Sequence, residues 1–123
     1  MVNFPDFTVA GRRGLYRPVR ATTLAAATAD ITAAIAHARA LELPQLLADI
    51  RGLTGFETPT TFERYEIVKS WVAAAAGTVQ LALVLRPETI DPGKFGTRVA
   101  ENRGFEADAF LSEEEALAWL DRL

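Results

Sequence analysis

Cysteine is absent from the 123-residue chain, and histidine occurs once, at His37. Disulfides, thiol chemistry and cysteine-ligated metals are thereby excluded, and a histidine-rich metal site has no ligands to draw on. Lysine is scarce too, confined to Lys69 and Lys94. Basic charge is therefore mostly arginine, and a net charge of −3 gives no global basis for binding nucleic acid or an anionic membrane. No nucleic-acid partner, metal or cofactor is expected. Long apolar runs are also missing. The least polar stretch, WVAAAAGTVQLALVL, is broken by Gly77, Thr78 and Gln80, so it reads as a helix end followed by a strand, with no transmembrane segment. The opening MVNFPDFTVAGRRG lacks the early positive charge and apolar core of a secretory leader. A cytoplasmic protein is the expectation.

What is present suits one globular domain spanning 1–123. Half the residues are hydrophobic, which argues against disorder, and a chain of this length buries roughly two thirds of its unfolded surface. A short strand at Phe4 to Val9 leads through GRRG into a second strand near Leu15 to Val19. Two glycines three apart suggest a phosphate loop only if they open a helix; here they open a strand, so they make a hairpin. Arg12, Arg13, Arg17 and Arg20 read as solvated arginines on an edge strand.

Leu24, Ile31, Ile35 and Ala38 recur at helical spacing between Thr22 and Leu41, with Thr22 or Thr23 as the cap and His37 off the main stripe. QLLADI and VQLALVL are apolar at nearly every position, the pattern of central strands covered on both faces. Between them, a second helix carries Phe62, Tyr65, Val68, Val72 and Ala75 along one stripe, with Ile67 and Trp71 on its flank. A third helix is expected from a capping Asp91 before Pro92 to Gly104. After a brief strand in EADAF, Ser112 and Glu115 have capping-box spacing for a fourth helix that buries Ala116, Leu117, Leu120 and Leu123. Strands alternating with helices predict an α/β fold with a mixed, mainly parallel sheet and right-handed crossovers.

With that order in place, LLADIRGLTG (46–55) and VAENRGFEADAFLSEEEALAWL (99–120) together resemble the bacterial STAS/SEC14-like, or SpoIIAA-like, group. The resemblance covers essentially the whole chain from about residue 4. It implies a single-domain sandwich of about five strands and four main helices. Relatives that antagonise anti-sigma factors carry a strand-end aspartate and then a phosphorylated serine in the next loop, whose phosphate breaks binding to a kinase partner. Laid along that pattern, Asp49 takes the strand-end position, Glu57 the loop acid and Thr58 the acceptor. Thr60 and Glu63 have capping-box spacing, so Thr60 reads as a helix cap and Thr58 as the better phosphoacceptor candidate.

Other candidates gather where ligands bind in open parallel sheets, beyond the carboxyl ends of the strands. Asp49, Arg51, Arg86, Glu88, Asp91 and Ser112 fall there, and salt-bridged loop ends are the plain reading. Asp49 is also suited to accept backbone amides and tie down its turn. The expected role is a non-enzymatic regulatory or protein-interaction module that contacts an unidentified partner through loop 52–60 and the following helix, with Asp49, Arg51, Glu57, Thr60 and Arg86 as contact candidates. One alternative is a small-ligand or lipid carrier of SEC14-like type, with Phe95, Phe105, Phe110 and Trp119 lining an apolar cleft. Another is an enzyme using Asp49, Glu57 and Arg86 in one cleft. Tyr65 and Trp71 suggest a homodimer seam on the second helix.

Overall fold

Gly11, at φ +63, turns the chain between β1 (Phe7–Ala10) and β2 (Arg13–Tyr16), which pair antiparallel as the expected hairpin. A computed structural model describes this fold for residues 4–90 and 95–123, and the side chains of all of these except 95–97. The second strand ends earlier than its composition suggests. Pro18 lacks the amide that a ladder needs, and a separate two-residue strand β3 (Arg20–Ala21) follows it.

The next helix, α1 (Leu24–Ala40), is capped by Thr23, whose hydroxyl accepts the Ala26 amide at 3.1 Å. It buries Ala27, Ile31, Ala34, Ile35 and Ala38. Strand β4 (Gln45–Asp49) leads to another two-residue strand, β5 (Leu53–Thr54), which pairs with β3. Then come α2 (Thr61–Ala75), β6 (Gln80–Val84), a 3₁₀ turn at Pro87–Thr89, α3 (Phe95–Asn102), β7 (Ala107–Phe110) and α4 (Glu113–Asp121). The expected Asp91 cap lies outside the described residues.

The main sheet runs β1-β2-β4-β6-β7, with every pair except the first parallel. Alternation along the apolar strands sends side chains to two layers. Leu46, Ala48, Leu81 and Leu83 meet α1, α2 and α3 on one face, whereas Leu47, Ala82 and Val84 meet Ala116 and Leu120 of α4 on the other. The carboxyamide of Gln45 bridges Arg13 (2.9 Å), Gln80 (3.0 Å) and the Leu120 carbonyl (2.9 Å), so the sheet's lower edge is laced across three strands and a helix.

Several expectations need correction. β2 is an interior strand, and three of the four arginines are paired with carboxylates. Arg13 reaches Asp121 and Arg17 reaches Glu113, each at 2.8 Å, while Arg20 binds Asp30. Arg12 is exposed. Leu123, expected inside, is 49% exposed because α4 ends at Asp121. The helix α2 is rotated relative to the expected stripe. It buries Val68, Trp71 and Ala75, and Phe62 is 71% exposed. Trp71, at 7% exposure, belongs to the core and is not available as a dimer seam.

Candidate functional site

The upper, carboxyl edge of the sheet is built from the ends of β4 and β6 and the loop 52–60. Asp49 closes β4 and folds back on its own turn. Its Oδ1 accepts the Arg51 amide at 3.2 Å, and its Oδ2 accepts Arg51 Nη2 at 2.7 Å. Burial pushes the Asp49 carboxyl up, but hydrogen bonds from the Arg51 side chain and amide, together with the Arg51 charge, hold it below the ordinary aspartate value. A depressed folded value means that the stabilisation is fully present above about pH 4 and is lost as pH falls through the folded value. Asp49→Asn is therefore expected to be less stable than the parent at pH 7, with the gap closing as the pH drops below about 4. Urea unfolding of both proteins across pH 7 to 2 checks this.

Loop 52–60 is pinned along its length. The Arg20 amide donates to the Gly52 carbonyl (3.1 Å), and the Thr22 amide to the Thr54 carbonyl (2.7 Å). Gly55, at φ +99, lies against Thr22 so closely that a Cβ there would stand 2.6 Å from the Thr22 carbonyl oxygen. Thr58 Oγ1 donates to the Glu88 carbonyl at 3.1 Å, and the hydroxyl-bearing residue itself is exposed. At the loop's end the capping box is complete: Thr60 Oγ1 accepts the Glu63 amide (3.2 Å), and Glu63 Oε1 accepts the Thr60 amide (2.9 Å). Such a cap contributes about 1 kcal/mol.

Behind this loop, between α1, α2, α3 and the sheet, lies an apolar cavity of about 260 Å³. Ile31, Leu53, Val68, Trp71, Leu83 and Phe105 are among its walls, and Phe56 and Pro59 come from the loop. Of the aromatic cleft candidates, Phe105 alone is seen to line it. Phe110 and Trp119 pack together on the opposite face of the sheet, with ring centroids 5.5 Å apart, because β7 turns Phe110 toward α4. The side chain of Phe95 lies outside the described residues. Trp71, read from sequence as a flank residue, is a wall residue instead. Its indole Nε1 is buried and has no hydrogen-bond partner among the described residues.

The upper-edge charges do not converge on one cleft. Arg86 lines the cavity and donates to the Leu53 carbonyl at 3.0 Å, while Asp49 is tied to Arg51 and Glu57 is exposed. Arg86 and Glu88 form a loose pair at 3.7 Å. Ser112 is a helix cap that accepts the Glu115 amide at 3.2 Å. The residue missed in the sequence is Arg64, seven positions before Trp71 on the inner face of α2; that spacing was legible once the helix's rotation was known. His37 is on a flank, stacked on Phe4 at 4.9 Å and edge-on to Phe7 at 4.7 Å. No described helix is long and apolar enough to cross a membrane.

No family model matches the sequence, and neither does any curated protein. Among solved structures, the NMR structure of the protein TM1081 is similar over all of this chain and 92% of its own, with 13% identity and a TM-score of 0.51. The anti-sigma factor antagonist SpoIIAA, in its unphosphorylated form, is similar over 95% of this chain and 96% of its own, with 16% identity and a TM-score of 0.47. At such identities the likeness is one of fold, and what either protein does is said of that protein. The order of strands and helices, with the likeness to TM1081, gives this chain an α/β fold with a mixed, mainly parallel five-stranded sheet and helices on both faces.

Proposed function

We propose that the chain is a non-enzymatic regulatory module of STAS type, acting in the cytoplasm and contacting a protein partner through loop 52–60 and α2. The observation that carries this reading is Phe62, 71% exposed in the first turn of α2, immediately after the pinned loop. A large aromatic on a rigid base is the kind of residue that anchors interfaces. A loop already held by backbone bonds, a tight glycine contact and a capping box loses little freedom on association. Asp49 and Arg51 brace its entry, and Glu57 gives it an exposed charge. Thr58 is the phosphoacceptor in this reading. A phosphate there would remove the donor that the Glu88 carbonyl accepts and place a strong negative charge two residues before the cap of α2.

Photo-crosslinking in host cells tests the reading. With benzoylphenylalanine at position 62, a discrete protein partner is expected; the same probe at position 9, on the edge strand β1, is expected to capture none. Equal capture from both positions, or capture from neither, would overturn the proposed surface. If a Thr58→Ala chain keeps every condition-dependent change in capture, Thr58 is not the switch.

The apolar cavity favours a second reading, a carrier of a small apolar ligand. Its distinguishing sign is a mass that travels with the native protein and departs on denaturation.

A further inference from the structure

The cavity behind loop 52–60 is apolar along most of its walls and cationic at one end. Arg64 and Arg86 both line it. Arg64 Nη2 donates to the Thr89 carbonyl at 3.2 Å and Arg86 Nη2 to the Leu53 carbonyl at 3.0 Å, so one guanidinium is anchored at the turn that follows β6 and the other at β5. Both places belong to the carboxyl edge of the parallel strands, where open α/β sheets bind ligands. The N-terminal, partially positive end of α2 lies at the same edge.

These guanidinium groups are held in place by backbone carbonyls. Arg64 has no carboxylate partner among the described residues, and Arg86 has only the loose Glu88 contact at 3.7 Å. A guanidinium carries five donors, and one or two bonds to carbonyls leave most of that capacity for a ligand. The single carboxylate among the described wall residues, Asp108, is engaged by the Ala109 amide at 2.8 Å. Trp71 lies seven residues beyond Arg64 on α2, about 10 Å along the helix, and Ile31, Leu83 and Phe105 complete the apolar part. The space therefore has a cationic mouth and a greasy body. Its 260 Å³ falls between the about 150 Å³ that holds a benzene and the about 300 Å³ at which drug-sized sites begin. A two-chain lipid is too large for it.

We propose that this cavity binds a compact hydrophobic carboxylate, its head at Arg64 and Arg86 and its apolar body against Trp71. The inference rests on the carrier reading and gives it a ligand class. Charge-assisted hydrogen bonds from guanidinium supply the preference for an acid, and each further methylene buried tightens binding about fourfold until the chain outgrows the cavity.

Trp71 provides the readout. In a Trp119→Phe chain it is the sole tryptophan, since Trp119 sits on the other face of the sheet. Titration with decanoate is expected to give a saturable fluorescence change, and decan-1-ol is expected to bind at least tenfold more weakly. Arg64→Gln and Arg86→Gln are each expected to weaken decanoate about tenfold while leaving decan-1-ol unchanged. Thermal unfolding of the unaltered chain with each compound repeats the comparison should a variant fail to fold. Equal binding of acid and alcohol, or insensitivity to both arginine substitutions, overturns the carboxylate assignment and leaves a carrier of neutral ligands. Saturation by neither compound, with no shift in melting, overturns the carrier reading with it.

Discussion

Gly55→Ala is expected to destabilise the protein by about 3 kcal/mol, combining backbone strain with a steric clash. Its φ of +99 is a conformation that alanine adopts only under strain, and its Cβ would sit 2.6 Å from the Thr22 carbonyl oxygen. That neighbour is backbone, fixed by the Thr22 amide's bond to Thr54, so it cannot swing aside. Gly77 supplies the internal comparison. It has a similar left-handed φ, +74, but nothing within 4 Å of an added Cβ. Gly77→Ala is therefore expected to cost about 1 kcal/mol, the backbone part alone. Urea unfolding of the two variants separates strain from clash. If they prove equally stable, the tight packing of loop 52–60 against the segment after β3 is wrong.

Leu81→Ala is expected to cost about 3–5 kcal/mol, with a fall in melting temperature of roughly 10 °C or more. Leu81 is fully buried on central strand β6, facing the layer of α1, α2 and α3, and does not line the cavity. Its removal leaves a hole that rigid neighbours on β4 and β7 cannot close. Leu85, two turns of the pleat further on, borders the existing cavity and is already partly exposed. Leu85→Ala is expected to cost about 1–2 kcal/mol, because the atoms removed have fewer partners to lose. Thermal and urea unfolding of the pair measure this difference. Equal costs would mean that the chain just past β6 is as tightly packed as the strand itself.

The parts of the fold that rest on local chemistry were legible in the chain. Apolar β4 and β6 declared themselves as central strands, and the caps at Thr60 and Ser112 form as their spacing implies. Rotation of a helix about its axis is a different matter. The expected stripe on α2 and the observed one share Val68 and Ala75, but the expectation put Phe62 inside and Trp71 on the flank, and the fold reverses the two. Packing against α1 decided it. The arginine run was misread for a similar reason, since Arg17 and Glu113 are 96 positions apart and Arg13 and Asp121 are 108 apart. Strands β3 and β5, two residues each, carry no periodicity to detect. The cavity could not be read from any stretch, because its walls come from three helices, three strands and the loops that join them.

Leu53, Phe56 and Pro59 belong at once to the cavity wall and to the loop offered to a partner. A displacement of these side chains is therefore felt on both sides of the wall. Should an occupant draw Phe56 inward by even a fraction of an ångström, the outer contour of the loop changes with it, and the partner's affinity changes by some factor. Linkage then requires the partner to alter the occupant's affinity by that same factor. A wall shared in this way would couple an occupant of the cavity to a partner of the loop wherever the loop has more than one shape.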